Sequence, residues 1–511
     1  MRWCSWRQRA GWKDVLGIYR YHLNNECVVH ANRPRCHLKS REKGSWNAGT
    51  VSLDTGVGDK KNKWNCPSGT TFKDNQTMRH TWLFVAACAM ALSSTAQAQD
   101  AKALEQLEVI SRSYAKDNHV AEAEASRRLE LRQVLARPEI EAFKADYADR
   151  LDTSYWDDSR DGFKLVLRLK QGPLPAIHEL STPHGTIPVK FTLVSGKTLD
   201  EISAVLAANQ ARLQEQVPGL QGTGIDEVDA AIVLYVFVPA EEQAAYEAEN
   251  AALSRQLGVP VRFKFLPGPM ESEPQESPEQ SSSSTLPTQS APMATTESPY
   301  VRGGSQILNL DNGHQCTGGF IVRNKDNTKW GLVTAAHCGK NLMYGNWSDA
   351  ASGAQVTAKL TYEDQLFDAT HDLAWHSFPV LGYRPLGEVF ARDTCSSCGV
   401  VILSTAAAVP GDRVCHRGLL TGWTCGVVSS STASFGSKDC NGQVCDPRAY
   451  KVVVGDDLAC FSGDSGGPVH YGNIAYGIVK SASYAGVEPG RCGALVFSPI
   501  GKIVDLGLRL Y

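Results

Sequence analysis

Apolar positions fall into two textures along the chain, and the change between them comes near residue 299. Before it, Leu104, Leu107, Ile110, Tyr114, Ala121, Ala125 and Leu129 recur at roughly helical spacing among charged residues, which predicts a helix over 101–143. Pro138 should end or kink that helix near its far end. Residues 163–169 and 187–193 are rich in Leu, Val, Ile and Phe and read as strands. A second helix is expected over 198–216, where Thr198 and Glu201 form a capping-box pattern. A strand over 230–238, a helix over 240–257 and a strand over 259–266 follow, with Pro260 near the start of the last. Strands alternating with helices describe an α+β or ferredoxin-like lobe. Residues 268–298 are dominated by Pro, Ser, Glu, Thr and Gln and include Ser281-Ser282-Ser283-Ser284. Such a stretch cannot bury a core and reads as a disordered, cleavable linker. Over 299–511, Gly, Ser, Thr, Val and Cys become more frequent and short strand-like runs alternate with turn clusters. That texture fits an all-β barrel or sandwich.

An export signal lies inside the chain. Met78-Arg79-His80 is a short basic start, Leu83 to Leu92 an apolar run, and Ala96-Gln97-Ala98 a small-x-small cleavage site. The apolar run is shorter than the roughly 20 residues a membrane span needs. The expected organisation is a spurious extension over 1–77 with translation starting at Met78, a signal peptide over 78–98, an α+β segment over 99–267, the linker over 268–298 and a β domain over 299–511. A secreted, extracellular protein follows from it.

Composition adds one point. The 511 residues carry a net charge of -3, which offers nothing to attract nucleic acid or an anionic membrane. The 15 cysteines are unevenly placed: Cys4, Cys27, Cys36, Cys66 and Cys88 come early, and the other ten lie between Cys316 and Cys492. If the chain is exported from Met78 and trimmed after Ala98, the first five disappear. The remaining even, dense set then points to disulfides formed in an oxidising compartment.

Two segments carry the chemistry: Leu332-Val333-Thr334-Ala335-Ala336-His337-Cys338-Gly339 and Cys460-Phe461-Ser462-Gly463-Asp464-Ser465-Gly466-Gly467-Pro468-Val469. A serine hydroxyl is a poor nucleophile near neutral pH. It needs a base in hydrogen-bond reach, a group that orients the base, and donors for the developing oxyanion. Glycines beside the serine let backbone N–H groups converge on one point. These segments resemble the chymotrypsin-like serine peptidases, and within them the bacterial alpha-lytic endopeptidase and streptogrisin group. Cys415-His416-Arg417-Gly418 running to Gly422-Trp423-Thr424-Cys425 resembles a disulfide hairpin of that group, and the likeness extends over about 300–505.

The resemblance implies two antiparallel β-barrels with the site between them. It implies His337 as general base and acid, Ser465 as nucleophile and the Gly463 and Ser465 N–H groups as the oxyanion hole. Asp464 would hold the loop. Asp372, at the head of the apolar run Leu373-Ala374-Trp375, is the expected orienting acid, ahead of Asp368 and Asp364. The same resemblance implies disulfides Cys316–Cys338, Cys415–Cys425 and Cys460–Cys492. Cys395, Cys398, Cys440 and Cys445 have no counterparts in the family. They are read as further bridges, with a zinc site as the alternative. Ala459, Lys480, Ser481 and Ala482 are expected around the substrate pocket, and the family usually has Ser where Lys480 falls. Family members that cut after Lys or Arg carry an acid at the pocket base, where this chain reads Leu458-Ala459-Cys460, so a small or apolar residue before the cut is expected. No cofactor or metal is expected. The expected partners are a protein or peptide substrate and the chain's own pro-region, as inhibitor and folding aid of a monomeric enzyme. An inactive protease-fold binding protein and a serine esterase are the alternatives. The esterase elbow Gly-x-Ser-x-Gly also matches 463–467, but its histidine should follow the serine, and only His470 does.

Overall fold

The computed structural model describes residues 27–30, 33–36, 108, 110–158, 162–271, 300–346, 356–379, 382–390, 399–435, 440–446, 448–485 and 490–511. The signal segment 78–98, the linker from residue 272 onward, and Cys395 and Cys398 lie outside these residues. The chain divides into two compact units, Met1–Ala91 and Leu92–Tyr511. In the first, the strands Cys27–His30 and Arg33–Cys36 pair as an antiparallel hairpin. All that follows concerns the second.

Residues 110–118 are helical, and after a turn the chain continues as the helices Glu122–Glu130 and Arg137–Ala145, joined by a wider turn over Leu131–Leu135. The single helix expected over 101–143 is therefore broken twice. Pro138 sits in the first turn of Arg137–Ala145, where its missing N–H costs nothing, so it starts a helix. A mixed sheet follows in the order Leu151–Asp157, Lys164–Leu169, Gly185–Leu193, Glu179–Thr182. The helix Leu199–Gln216 begins on the capping box read from the sequence: Thr198 Oγ1 accepts from Glu201 N at 3.2 Å, and Thr198 N donates to Glu201 Oε2 at 2.7 Å. The strand Leu220–Asp226, Gln-Gly-Thr-Gly in its middle, has no alternation and was not legible. It pairs with Ala231–Val236, which runs parallel to Val261–Phe265 across the helix Gln243–Leu257.

The regular structure described in residues 300–511 is mainly strand, with short helical turns at Ala336–Cys338 and Ile500–Leu506. The later half closes on itself. Arg413–Gly418, Pro468–Tyr471, Ile474–Tyr484, Gly490–Pro499, Tyr450–Val454 and Gly422–Phe435 pair in that order, and the last pairs back to the first. This is a six-stranded antiparallel barrel. The earlier half is built of three further sheets: a small one pairs Tyr300–Gly303 in parallel with Arg384–Phe390, and that strand antiparallel with Gly399–Val401, and the other two are antiparallel. One runs Gln315–Thr317, Gln306–Asn309, Leu342–Asn346, Val356–Lys359; the other Thr361–Phe367, Asp372–Ser377, Trp330–Thr334, Ile321–Asn324, Leu508–Leu510. They share a core of Ile307, Ile321, Leu332, Leu342, Tyr344, Leu360 and Phe378.

The leading segment is joined to the closed barrel in three ways. Leu220–Asp226 extends the barrel strand Gly422–Phe435, with Gly224 opposite Ala433. Ile110, Tyr114, Ala125 and Leu129 share one core with Val414, Tyr471 and Tyr476, so the apolar stripe of the first helices faces the barrel. Buried polar groups finish the contact. Arg132, fully buried, binds Asp158 at 2.7 Å and the Gly411 carbonyl at 2.6 Å, and Arg137 pairs with Asp412 at 3.3 Å. At the head of the expected linker, Met270–Glu271 forms a short strand antiparallel to Ser483 and Ala482.

Candidate active site

His337 lies in the short turn Ala336–Cys338 that leaves the buried strand Trp330–Thr334. That strand pairs with Asp372–Ser377, Thr334 opposite Ala374, so the turn and the head of the second strand meet at one end of the sheet. Asp372 is wholly buried there. Its Oδ1 accepts from the backbone N–H of Ala336 at 2.8 Å and of His337 at 3.1 Å. Its Oδ2 lies 2.7 Å from His337 Nδ1 and 3.2 Å from Lys480 Nζ. Burial alone would raise the Asp372 carboxyl; the charges of His337 and Lys480, with the hydrogen bonds from His337, outweigh it and hold the group well below the usual carboxylate range. The competing acids do other work. Asp368 caps its own turn, accepting from Thr370 N at 2.7 Å and His371 N at 3.0 Å. Burial opposes its ionisation, but these Thr370 and His371 bonds bring its carboxyl down to about 2. Asp364 accepts from Gln365 N at the surface.

The Ser465 loop comes up against the same turn. Thr317 N donates to the Ser465 carbonyl at 2.8 Å, and Cys338 Sγ lies 3.7 Å from that oxygen. Ser465 Oγ donates to the Lys480 carbonyl at 3.4 Å. His337 Nε2 is buried and has no hydrogen-bond partner among the described residues. The backbone at Gly463 has φ of 100° and at Gly466 of 82°, in the left-handed region that glycine tolerates. A Cβ at Gly466 would also meet Thr334 Oγ1 at 2.0 Å. Asp464 is buried beneath the loop and accepts from Phe461 N at 2.9 Å and Thr421 Oγ1 at 2.7 Å. Burial pushes its carboxyl up. Among the described residues, neither Gly463 N–H nor Ser465 N–H is spent on a hydrogen bond.

The pocket beside Ser465 separates the expected lining residues into two groups. Ser481 and Ala482 line it, with Phe461, Ser462, Val479 and Tyr484. Lys480 and Ala459 do not. A register shift between Val479 and Ser481 turns the Lys480 side chain inward onto Asp372, leaving only its carbonyl near Ser465. Ala459 lies behind the pocket, where its carbonyl accepts from His416 Nε2 at 2.7 Å and Thr424 Oγ1 at 3.0 Å. Sequence reasoning missed Glu271, which enters the pocket from the leading segment and accepts from the Tyr484 hydroxyl, while Ser483 Oγ donates to the Gly268 carbonyl at 2.8 Å. No local signal joins residues more than 200 positions apart.

Four disulfides are formed among the described residues. Cys316–Cys338 ties the His337 turn to the strand Gln315–Thr317, and Cys415–Cys425 bridges directly opposed residues of the hairpin. Cys460–Cys492 fastens the approach to the Ser465 loop. Cys440 and Cys445 bond to each other and so have no thiolate left for a metal. Cys316, His337 and Cys338 also lie within ligand distance of one another, but both sulfurs belong to the disulfide. No helix among the described residues is long and apolar enough to cross a membrane.

No family's sequence profile matches the chain. Streptogrisin-C of Streptomyces griseus is 28% identical over 215 residues, 41% of this chain and 41% of the relative, so the chain spans about two-fifths of that protein's length. Among solved structures, Thermobifida fusca Protease A is 23% identical and covers 41% of this chain and 98% of its own, with a TM-score of 0.32. The chymotrypsin of Cellulomonas bogoriensis is 25% identical over 42% of this chain and 98% of its own, with a TM-score of 0.31. An alpha-lytic protease homolog, N4, is 22% identical over 42% of this chain and all of its own, with a TM-score of 0.30. The likeness in sequence is to a streptogrisin, and the likenesses in structure are to solved proteases.

Proposed function

We propose that this chain is a secreted serine endopeptidase made as a zymogen, with Ser465 as nucleophile, His337 as base and Asp372 as orienting acid. One observation carries the reading. His337 Nδ1 is committed to Asp372 at 2.7 Å, while Nε2 stays unpartnered beside the Ser465 loop. A hydrogen bond from Nδ1–H to a buried carboxylate leaves Nε2 as the free lone pair, which is what a base must offer. Ser465 Oγ turns from the Lys480 carbonyl to Nε2, passes its proton there and attacks the substrate carbonyl. The oxyanion falls to the Gly463 and Ser465 N–H groups, which need no rearrangement to receive it. His337 then protonates the leaving amine, and water repeats the sequence on the acyl-enzyme.

Residues 99–267, with the head of the linker that follows them, act as a pro-region that restrains the site and helps the barrel fold. Two contacts favour this: Met270–Glu271 lies along the pocket strand, and Leu220–Asp226 completes the edge of Gly422–Phe435. The barrel must pair strands as separated as Arg413–Gly418 and Pro468–Tyr471, contacts whose loop closure makes folding slow, and a neighbouring strand already in place offers an edge on which they can form. The four disulfides fit an extracellular, oxidising destination. Phe461, Val479 and Ala482 give the pocket apolar walls, in keeping with a small or apolar residue before the cut.

The test is covalent labelling with a fluorophosphonate. The protein should label, and Ser465→Ala should abolish labelling and lower peptide hydrolysis by about 10⁶-fold. Residual labelling of that variant would refute the assignment of Ser465.

A further inference from the structure

Asp372 accepts from four donors, and one of them is unexpected. Backbone N–H groups occupy Oδ1, whereas Oδ2 is shared between His337 Nδ1 at 2.7 Å and Lys480 Nζ at 3.2 Å. Both Lys480 and Asp372 have side chains with no exposed surface. The resemblance leads one to expect a serine at this point, which would bring a neutral hydroxyl. Lysine brings a full positive charge to a carboxylate that is also meant to stabilise an imidazolium.

We propose that Lys480 is a positioning residue that, through Asp372, sets the pH above which His337 accepts the Ser465 proton. The inference rests on the serine peptidase reading given above. Its physics is a competition for one carboxylate. When His337 is neutral, Asp372 and Lys480 form a balanced pair. When His337 takes a proton, two cations share one anion in a buried site, so the Lys480 charge opposes the imidazolium. Lys480 thereby weakens the hold of Asp372 on the imidazolium formed during acylation.

The surrounding charges leave this competition local. In the turn that leads into the strand bearing Asp372, Asp368 and His371 are engaged with each other, and His371 also reaches Asp505 at 3.1 Å. From Tyr450–Val454 come the Tyr450 ring, 5.1 Å below Lys480 Nζ, and Lys451, whose Nζ binds the Ser431 carbonyl. From Ile500–Leu506 comes Lys502, bound to the carbonyls of Thr370 and of Ala449, the latter at 2.7 Å, with its Nζ 5.1 Å from the same ring. Lys480 is the cation that reaches the carboxylate.

The experiment measures the fluorophosphonate labelling rate against pH for protein from the full chain and for Lys480→Met, Lys480→Ser and Lys480→Arg, each checked by thermal unfolding. Both nitrogens contact the same Oδ2, so the two charges lie within about 6 Å, which at an effective dielectric of about 20 corresponds to roughly 2 pH units. The acid midpoint should therefore rise by about that much in the Met and Ser variants and stay at the wild-type value in Arg. For peptide hydrolysis the change should appear in kcat, with KM held. An unmoved midpoint in folded Met or Ser variants overturns the proposal. Failure of both neutral variants to fold also overturns it, since Lys480 would then be a structural group. Labelling that survives Ser465→Ala would instead sink the peptidase reading itself.

Discussion

The leading segment 110–271 and the domain 300–511 are held together by different means, although they share cores and a sheet. No cysteine occurs between Cys88 and Cys316. The leading segment therefore rests on caps, apolar stripes and ion pairs, whereas the domain is stapled at the His337 turn, the hairpin and the Ser465 approach. Everything between the two is non-covalent apart from the chain itself: two strand pairings, shared apolar cores and a few buried charges. A part meant to be removed and a part meant to persist in an oxidising, protease-rich medium would differ in this way. Staples keep unfolded states scarce where proteolysis is a threat, and reversible contacts allow release.

The comparison can be broken at several points. The largest effect is expected at Asp372→Asn, which should lower turnover by about 10⁴-fold while the leading segment stays docked. That variant also tests the pH dependence. The Asp372 carboxyl is lower in the folded protein than in the unfolded chain, so its stabilising contribution is present above the ordinary carboxylate value of about 4 and is lost as pH falls. The gap in Tm between wild type and Asp372→Asn should narrow on acidification; a widening gap would contradict the burial and pairing described here.

Next comes the docking. Arg137→Ala leaves Asp412, fully buried, without its partner, a change that costs about 3–5 kcal/mol. Hydrogen exchange in the full chain should then quicken over 110–145 and not over 300–511. Uniform loss of protection would mean the two regions form one cooperative unit. Cys316→Ser combined with Cys338→Ser opens a loop with a sequence separation of 22 and should cost about 3 kcal/mol. Chemical denaturation should register that loss in the domain, and reducing agent should produce none in the leading segment. The smallest change is Thr198→Ala, which removes one cap of Leu199–Gln216 and should cost about 1 kcal/mol, read as a lower denaturation midpoint of the leading segment alone.

Legibility followed the range of the interactions. The helix Leu199–Gln216 was readable because its cap lies within four residues, and the strand Lys164–Leu169 because its own apolar run defines it. The break in the first helix was not, since the turn Leu131–Leu135 exists to bury Arg132 and Gln133 against Gly411 and Arg413, some 280 residues away. Leu220–Asp226 was missed for the same reason: its glycines permit close approach to Phe435 and Thr432, and only the partner strand makes it a strand. Within the site, His337, Asp372 and Ser465 announced themselves by their neighbours in sequence. Lys480 could be seen as out of place, but not where it would point.

The amino-acid sequence alone therefore determined the reaction chemistry to be tested, the β character of 299–511 and the three side chains proposed to carry that chemistry. These are properties of local motifs, written in runs of ten residues or fewer. The tertiary structure alone decided that Lys480 turns onto Asp372, that Glu271 enters the pocket and that Cys440 bonds to Cys445. A register shift in a strand and a contact across 200 residues depend on which surfaces the folded chain brings together, and no local pattern records that.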